Sequence, residues 1–509
     1  MVAAENGALP GGKVGGVGDV IRDLPIALAE RGWQPTVLTP AYGMFNKLPG
    51  AVSVASLPLR FAGAGQIATL WRIPSGNSSV EHLAIEHPAL SPDGPGRIYC
   101  HDPADRPFAT DAGKFAFFCA ALATWLRQVE NRYDVVHLHD WHAGFYLLLR
   151  QYDPDCQSLR ALRTVFTIHN LALQGIRPFA GDASSLASWY PELAVPPAKV
   201  VDPRYADCIN PMLTAIRLAD KIGTVSPTYA REILRPSDIA HGFSGGEGLE
   251  ADLQSAAHDG RLTGILNGCE YAGFTRRPVG WQRLLAAIGD ALDNWRSPEI
   301  ATICAASAES LKMLPKRRPP HVLVSIGRLA PQKTALFFQQ GSAGQSALES
   351  LLDELGNKGV FIMLGSGDRA LEEHCCELAS RRKNFLFLCG YSDVLADTLY
   401  AAGDLFLMPS TFEPCGISQM LAMRAGQPCV VHAVGGLKDT VEDNVSGFTF
   451  AGDSPPLLAD NFVASVRRAL QLKSANPAAW KAIQETALNR RFSWSAAAER
   501  YEKELYHHE

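Results

Sequence analysis

Two cations five residues apart, and a carboxylate opening a helix, are the strongest chemical signals in the sequence. Arg328 and Lys333 lie in Gly327-Arg328-Leu329-Ala330-Pro331-Gln332-Lys333, directly after the apolar run 321–326. Two cations in one loop can converge on a single anion. Arginine gives planar, paired donors to phosphate oxygens, and lysine gives a point charge. A departing diphosphate gains negative charge as its bond breaks, and preorganised cations stabilise that state more than the ground state. The plain alternative is a pair of unrelated surface charges. Glu413 stands in Pro409-Ser410-Thr411-Phe412-Glu413-Pro414-Cys415-Gly416-Ile417-Ser418-Gln419. Its carboxylate can hold two hydroxyls of a sugar ring, and the first N–H groups of the helix that follows can face phosphate. The alternative is an acid favoured at a helix start by the dipole.

Weaker signals follow strand-like runs. Lys13-Val14-Gly15-Gly16-Val17-Gly18-Asp19-Val20 is a Gly-rich turn leading into a helix. Glycines let backbone approach an anion, and Lys13 adds a full charge. It matches neither a P-loop nor a G-x-G-x-x-G fingerprint, and a tight turn with an exposed lysine is the alternative. His137-Leu138-His139-Asp140-Trp141-His142 brings three histidines within six residues. On a strand His137 and His139 share a face while His142 lies beyond the turn, so a polar cluster is favoured over a metal site. His169-Asn170-Leu171-Ala172-Leu173-Gln174-Gly175 also ends a strand, and Asn267-Gly268 reads equally well as a site or as a turn.

The elements that must position these residues are short, near-continuous apolar runs alternating with amphipathic helical stretches, the pattern of α/β parallel sheets covered on both faces. The runs in the first half fall at 35–38, 134–138, 164–168 and 221–225. In the second half they fall at 321–326, 360–364, 385–388, 405–408 and 429–431. The segment 1–4 is a very short first strand. A chain of 509 residues exceeds one hydrophobic core, so two domains are expected. The boundaries predicted are a Rossmann-like domain over 1–275, a helical connector over 276–319, a second Rossmann-like domain over 320–491, and a closing helix over 492–509. Two such domains facing each other leave a central cleft at the strand ends, where ligands bind.

Composition excludes several classes. The net charge of -5 argues against nucleic acid, which needs a concentrated basic face. The eleven scattered cysteines include no C-x-x-C pair, so neither a disulfide framework nor a zinc site is expected. No run of 18 apolar residues exists, so no membrane span is expected. The first residues lack the features of a secretory leader.

Taken in order, these motifs resemble those of bacterial and plant glycogen (starch) synthases, glycosyltransferase family 5. Lys13–Val20 is similar to K-x-G-G-L-G-D-V, 137–142 to H-x-H-D-W-H, 169–175 to H-N-x-x-x-Q-G, 327–333 to R-L-x-x-Q-K, and 434–441 to T-G-G-L-x-D-T-V. The resemblance spans essentially the whole chain and implies the GT-B fold. The implied activity is retaining glucosyl transfer from ADP-glucose, or UDP-glucose, to the non-reducing end of an α-1,4-glucan, without a metal or other cofactor. The implied catalytic residues are Glu413, His169, Asp140 and Lys13. Donor contacts are implied for Lys13, Gly15, Gly16, Asn267, Arg328, Lys333, Tyr391, Cys415, Gly416 and Ile417.

The sequence departs from the family pattern at Val17, Leu173, Glu270, Thr334 and Val434. These departures leave room for a non-catalytic glucan-binding or priming paralogue. A GT-B enzyme with a small acceptor is a separate rival, against which the Lys13 motif and Leu421 in place of a second glutamate count. The localisation expected is a bacterial cytoplasm, or a plastid stroma for a trimmed plant or algal chain.

Overall fold

The computed structural model describes residues 1–271, 274, 278–295 and 301–507. The chain forms two units. One holds Met1–Ser237, Gly245–Gly268 and Ser493–Glu509, and the other holds Asp238–Ser244 and Cys269–Phe492.

The N-terminal unit is built on one sheet. Its strands are β1 (Thr36–Pro40), β2 (Val52–Phe61), β3 (Ala64–Ile73), β4 (Glu81–Glu86), β5 (Val135–His139), β6 (Arg163–Ile168), β7 (Lys221–Thr224) and β8 (Leu262–Gly264). The short first strand is reduced to Val2, which bridges in parallel to Leu38 of β1 and Leu138 of β5. With Val2 counted first, the parallel members run β4, β1, Val2, β5, β6, β7, β8. The winding direction therefore reverses between Val2 and β5, which makes that place the topological switch point. β2 and β3 add an antiparallel hairpin outside β4. No apolar run announces this hairpin, because β2 alternates exposed Ser56 and Arg60 with buried Leu57 and Leu59. The helix Trp494–Tyr501 packs Ala498 and Tyr501 against Val20 and Leu24 of the first helix, Gly16–Ala29. Its Trp494 Nε1 donates to Asp23 Oδ2 at 3.1 Å.

The C-terminal unit carries a six-stranded parallel sheet: β9 (His321–Ile326), β10 (Gly359–Leu364), β11 (Phe385–Leu388), β12 (Leu405–Met408), β13 (Cys429–His432) and β14 (Gly447–Phe450). Their spatial order is β11, β10, β9, β12, β13, β14, so the switch point lies between β9 and β12. β10 through β13 are buried along their whole length, which is why they read as continuous apolar runs. One face is covered by Leu348, Leu352, Phe462 and Val466.

The other face is covered in part by Leu284, Ile288 and Leu292 of the helix Trp281–Asn294, which share a core with Val322, Ile362 and Leu399. The stretch read as a connector thus supplies a helical layer of this unit. The 275/276 boundary itself lies outside the described residues. The structure groups residues from Cys269 onward with the C-terminal unit.

Candidate active site

In the N-terminal unit the loops leaving Val2, β5, β6 and β8 carry the residues singled out from the sequence. The Gly-rich turn is shaped by an acid that the sequence reading passed over. Glu5, buried, accepts from the backbone N–H of Val14 at 2.8 Å and of Gly15 at 2.7 Å through Oε2. Its Oε1 accepts from Tyr99 Oη at 3.0 Å. Glu5 therefore folds the turn onto itself and leaves the first helix starting at Gly16 with no side-chain cap. Lys13 is exposed and pairs with Asp19 at 2.7 Å, one turn into the same helix. The sequence signal for Glu5 was only an acid shortly upstream of the glycines.

The histidine motif and the His169 turn interlock. Asp140 has φ 57°, a left-handed value that few side chains adopt. Its Oδ1 accepts from the backbone N–H of His169 at 2.8 Å and of Asn170 at 3.4 Å. Burial raises the Asp140 carboxyl to about 7, opposed by these two N–H groups. Asp140 thus holds the backbone that presents His169. A Cβ on Gly175 would overlap Cε3 of the Trp141 ring, so only glycine lets the end of this turn lie on the indole.

His139 Nδ1 and His169 Nε2 are 2.9 Å apart. His137 reaches Tyr506 Oη at 2.8 Å and Thr167 Oγ1 at 2.7 Å. Burial pushes His169 and His142 down to about 3 and His137 and His139 well below the usual range, so the rings are neutral. His142 lies apart, edge-on to Phe115. Among the described residues no group of three His, Cys, Asp or Glu could hold a metal.

Asn267 is buried and its Oδ1 has no hydrogen-bond partner. A buried acceptor of this kind needs a ligand or water hydroxyl. A Cβ on Gly268 would lie 2.5 Å from the Trp494 N, so this glycine admits the start of the closing helix.

In the C-terminal unit the loops after β9 and β12 meet at the switch point. Lys333 Nζ lies 3.1 Å from Glu413 Oε2, and Ser410 Oγ donates to the same oxygen at 3.2 Å. Thr411 N donates to Gln332 O at 2.9 Å, tying one loop to the other. Arg328 and Lys333 line one pocket together with Ser325, Thr334, Met363 and Ser410. The two cations therefore line one pocket, and Glu413, 80 residues beyond Lys333 in sequence, joins them through its contact with Lys333. His432 Nδ1 lies 3.0 Å from Ser410 O and braces the same loop.

Gly435 and Gly436 open the helix Gly435–Thr440. The structure places them against the Glu413 turn. A Cβ on Gly436 would lie 2.5 Å from Cys415 Cα, and one on Gly435 2.9 Å from Glu413 C. Gly436 N donates to Glu413 O at 3.2 Å.

Cys415 is buried, and Gly416 has φ 75°. With Ile417 they form the turn between Glu413 and the helix Ser418–Arg424. Gln419 Nε2 donates to the carbonyls of Cys415 and Gly416, at 3.1 and 3.0 Å. Tyr391 is exposed, and its Oη donates to Asp393 Oδ1 at 2.7 Å, leaving the ring at the surface. Thr334 turns its hydroxyl back to Ala330 O at 3.0 Å. Leu173 is exposed.

Both sequence and structure have relatives. The starch synthase catalytic domain family matches residues 1–255, and the glycosyl transferases group 1 family matches residues 320–468. A glycogen synthase of Anaeromyxobacter sp. (strain Fw109-5) is 35% identical over 99% of this chain and 97% of its own. The chain belongs to the glycogen and starch synthase family of glycosyltransferases. A glycogen synthase of Moorella thermoacetica is 32% identical over 98% of this chain and 94% of its own. The catalytic domain of Arabidopsis thaliana starch synthase IV, solved bound to ADP and acarbose, superimposes with a TM-score of 0.75 at 26% identity, covering 99% of this chain and 97% of that one. The fold of this synthase is accordingly GT-B, with the parallel sheets described above. No described helix is long and apolar enough to cross a membrane.

Proposed function

We propose that this synthase transfers glucose from ADP-glucose to the non-reducing 4-hydroxyl of an α-1,4-glucan, with retention of anomeric configuration and without a metal. Membership of the family carries the reaction class, glucosyl transfer in glycogen or starch synthesis. The observation that carries the finer reading is the Arg328, Lys333 and Glu413 cluster at the switch point of the C-terminal sheet. Two cations beside a buried carboxylate suit a substrate with a diphosphate at one end and a hydroxyl-rich ring at the other. The choice of ADP rests on the ADP bound to the starch synthase IV relative.

In this reading Arg328 and Lys333 neutralise charge growing on the leaving diphosphate, a role that a metal fills elsewhere. Lys333 exchanges Glu413 for phosphate when donor binds, which frees Glu413 to accept from glucose hydroxyls. Cys415, Gly416 and Ile417 shape the turn that carries Glu413, and the exposed Tyr391 ring packs on the base.

The N-terminal unit supplies Lys13, Gly15 and Gly16 for the diphosphate and the Asn267 acceptor for a sugar hydroxyl. The neutral His169 stands beside the anomeric carbon. A neutral ring does not oppose positive charge building on the sugar, as an imidazolium would. Asp140 acts by fixing the His169 backbone.

Retention is tested by proton NMR of the new linkage. An α-anomeric signal from ADP-glucose, formed in EDTA, supports the reading. A β signal, or turnover abolished by EDTA, overturns it. Transfer only to small sugars, or glycogen binding without transfer, would favour the two rivals.

A further inference from the structure

We propose that Gln174 is a positioning residue for this reaction, its one side-chain amide fastening the His169 turn to two other segments of the N-terminal unit. The amide is saturated. Nε2 donates to Leu171 O and to Glu247 O, both at 3.1 Å. Oε1 accepts from Arg204 Nη2 and from Asn210 Nδ2, both at 2.7 Å. An amide offers two donors and two principal acceptor sites, and all are used. Its orientation is fixed by chemistry, because the two carbonyls can only accept and Arg204 can only donate. Gln174 itself is buried.

Each tie leads to a different place. Leu171 lies within the turn that presents His169, and its N–H is held by Tyr229 Oη at 3.0 Å. Asp140 grips the two preceding N–H groups. The turn is therefore pinned at His169, Asn170 and Leu171, and Gln174 is the pin that connects it outward. Asn210 caps the helix Pro211–Leu218 and also donates to the buried Asp202 at 2.7 Å. Glu247 sits at φ 51°, a strained conformation for a residue with a side chain. Its turn is tied to Ser237, whose Oγ accepts from Gly245 N at 3.0 Å. Removing the amide leaves two carbonyls and two donors without their partner and releases the His169 turn on one side. The proposal rests on the reading of His169 given above.

Two substitutions test it. Gln174→Met keeps size and removes all four bonds. Gln174→Glu keeps shape but points a carboxylate oxygen at two carbonyls. Arg204 favours the charged form and the two carbonyls disfavour it. Only the protonated acid can donate to a carbonyl, so the variant works better as its carboxyl is protonated. The expected result for Gln174→Met is a kcat lower by on the order of 10-fold or more with little change in donor KM, together with faster amide hydrogen exchange across 169–175. For Gln174→Glu, activity relative to wild type at each pH rises as pH falls. Wild-type exchange across 169–175 in Gln174→Met, with a Gln174→Glu profile parallel to wild type, overturns the proposal. A wild-type chain that transfers no glucose would defeat the proposed function instead, and the exchange measurement would still decide whether Gln174 pins the turn.

Discussion

Gly436→Ala perturbs the Glu413 turn without touching a charged group. The added Cβ would lie 2.5 Å from Cys415 Cα and 2.8 Å from Cys415 C, where ordinary contacts begin at 3.4 Å. Both obstacles are backbone, so no side chain can swing away. The turn must retreat by about 1 Å, and it carries Glu413 out of register with Lys333, its partner at 3.1 Å. A displacement of that size at a reacting centre costs on the order of 100-fold in rate. The assay is kcat for glucosyl transfer to glycogen at saturating ADP-glucose, with circular dichroism to establish folding. Gly289→Ala is the control, because a Cβ there meets nothing within 4 Å. A folded Gly436→Ala protein with kcat within about twofold of wild type would refute the reasoning, since the turn would then have no need of its position.

The control is itself a prediction. Gly289 lies inside the helix Trp281–Asn294, so Gly289→Ala should raise stability by about 0.5–1 kcal/mol in urea unfolding; a loss would mean the position is not open. Arg328→Ala should lower kcat/KM for ADP-glucose by roughly 100- to 1,000-fold while leaving KM for glycogen unchanged. Arg328→Lys should restore only part of that loss, because lysine lacks the planar fork.

Stability should fall as pH drops below about 6.5. His82 is lowered by burial to about 4, and His142 and His169 to about 3. Between those values and the unfolded value the unfolded chain binds more protons, so each histidine contributes stability that is full at neutral pH. It is lost at up to ~1.4 kcal/mol per pH unit on acidification. Chemical denaturation at a series of pH values checks this, and a midpoint flat from pH 7 to 4.5 contradicts it.

Much of the fold is legible in the sequence because most strands of the C-terminal sheet are covered on both faces. Such strands must be apolar throughout, and the runs at 360–364 and 385–388 carry that signature. The β2–β3 hairpin is half-exposed, so its alternating pattern does not stand out from loop sequence. The stretch 279–314 reads as helical, and the prolines and charges of 315–320 that end it suggest an exposed linker. Only the packing of Leu284 and Ile288 on Val322 and Ile362 shows it as a layer.

The site is legible in its residues and not in its couplings. Arg328, Lys333 and Glu413 announce themselves by charge after a strand. The contact between Lys333 and Glu413 depends on β9 and β12 being neighbours at the switch point, which follows from topology. Glu5 carries no motif, and Gln174 appears only as a member of the 169–175 motif, because the bonds they make to backbone groups and to distant side chains are displayed by no sequence pattern. Gly435 and Gly436 were legible as glycines, but what they approach is the Glu413 turn.

The central claim is that Glu413, its partner Lys333 and Arg328 serve glucosyl transfer from a nucleotide sugar to a glucan. Its most direct test is incorporation of labelled glucose into glycogen from ADP-glucose and from UDP-glucose, in EDTA, by the wild-type chain and by Glu413→Ala. The account predicts incorporation from ADP-glucose by the wild type and its loss in folded Glu413→Ala. Incorporation from neither donor by folded wild type, or undiminished incorporation by Glu413→Ala, would contradict it.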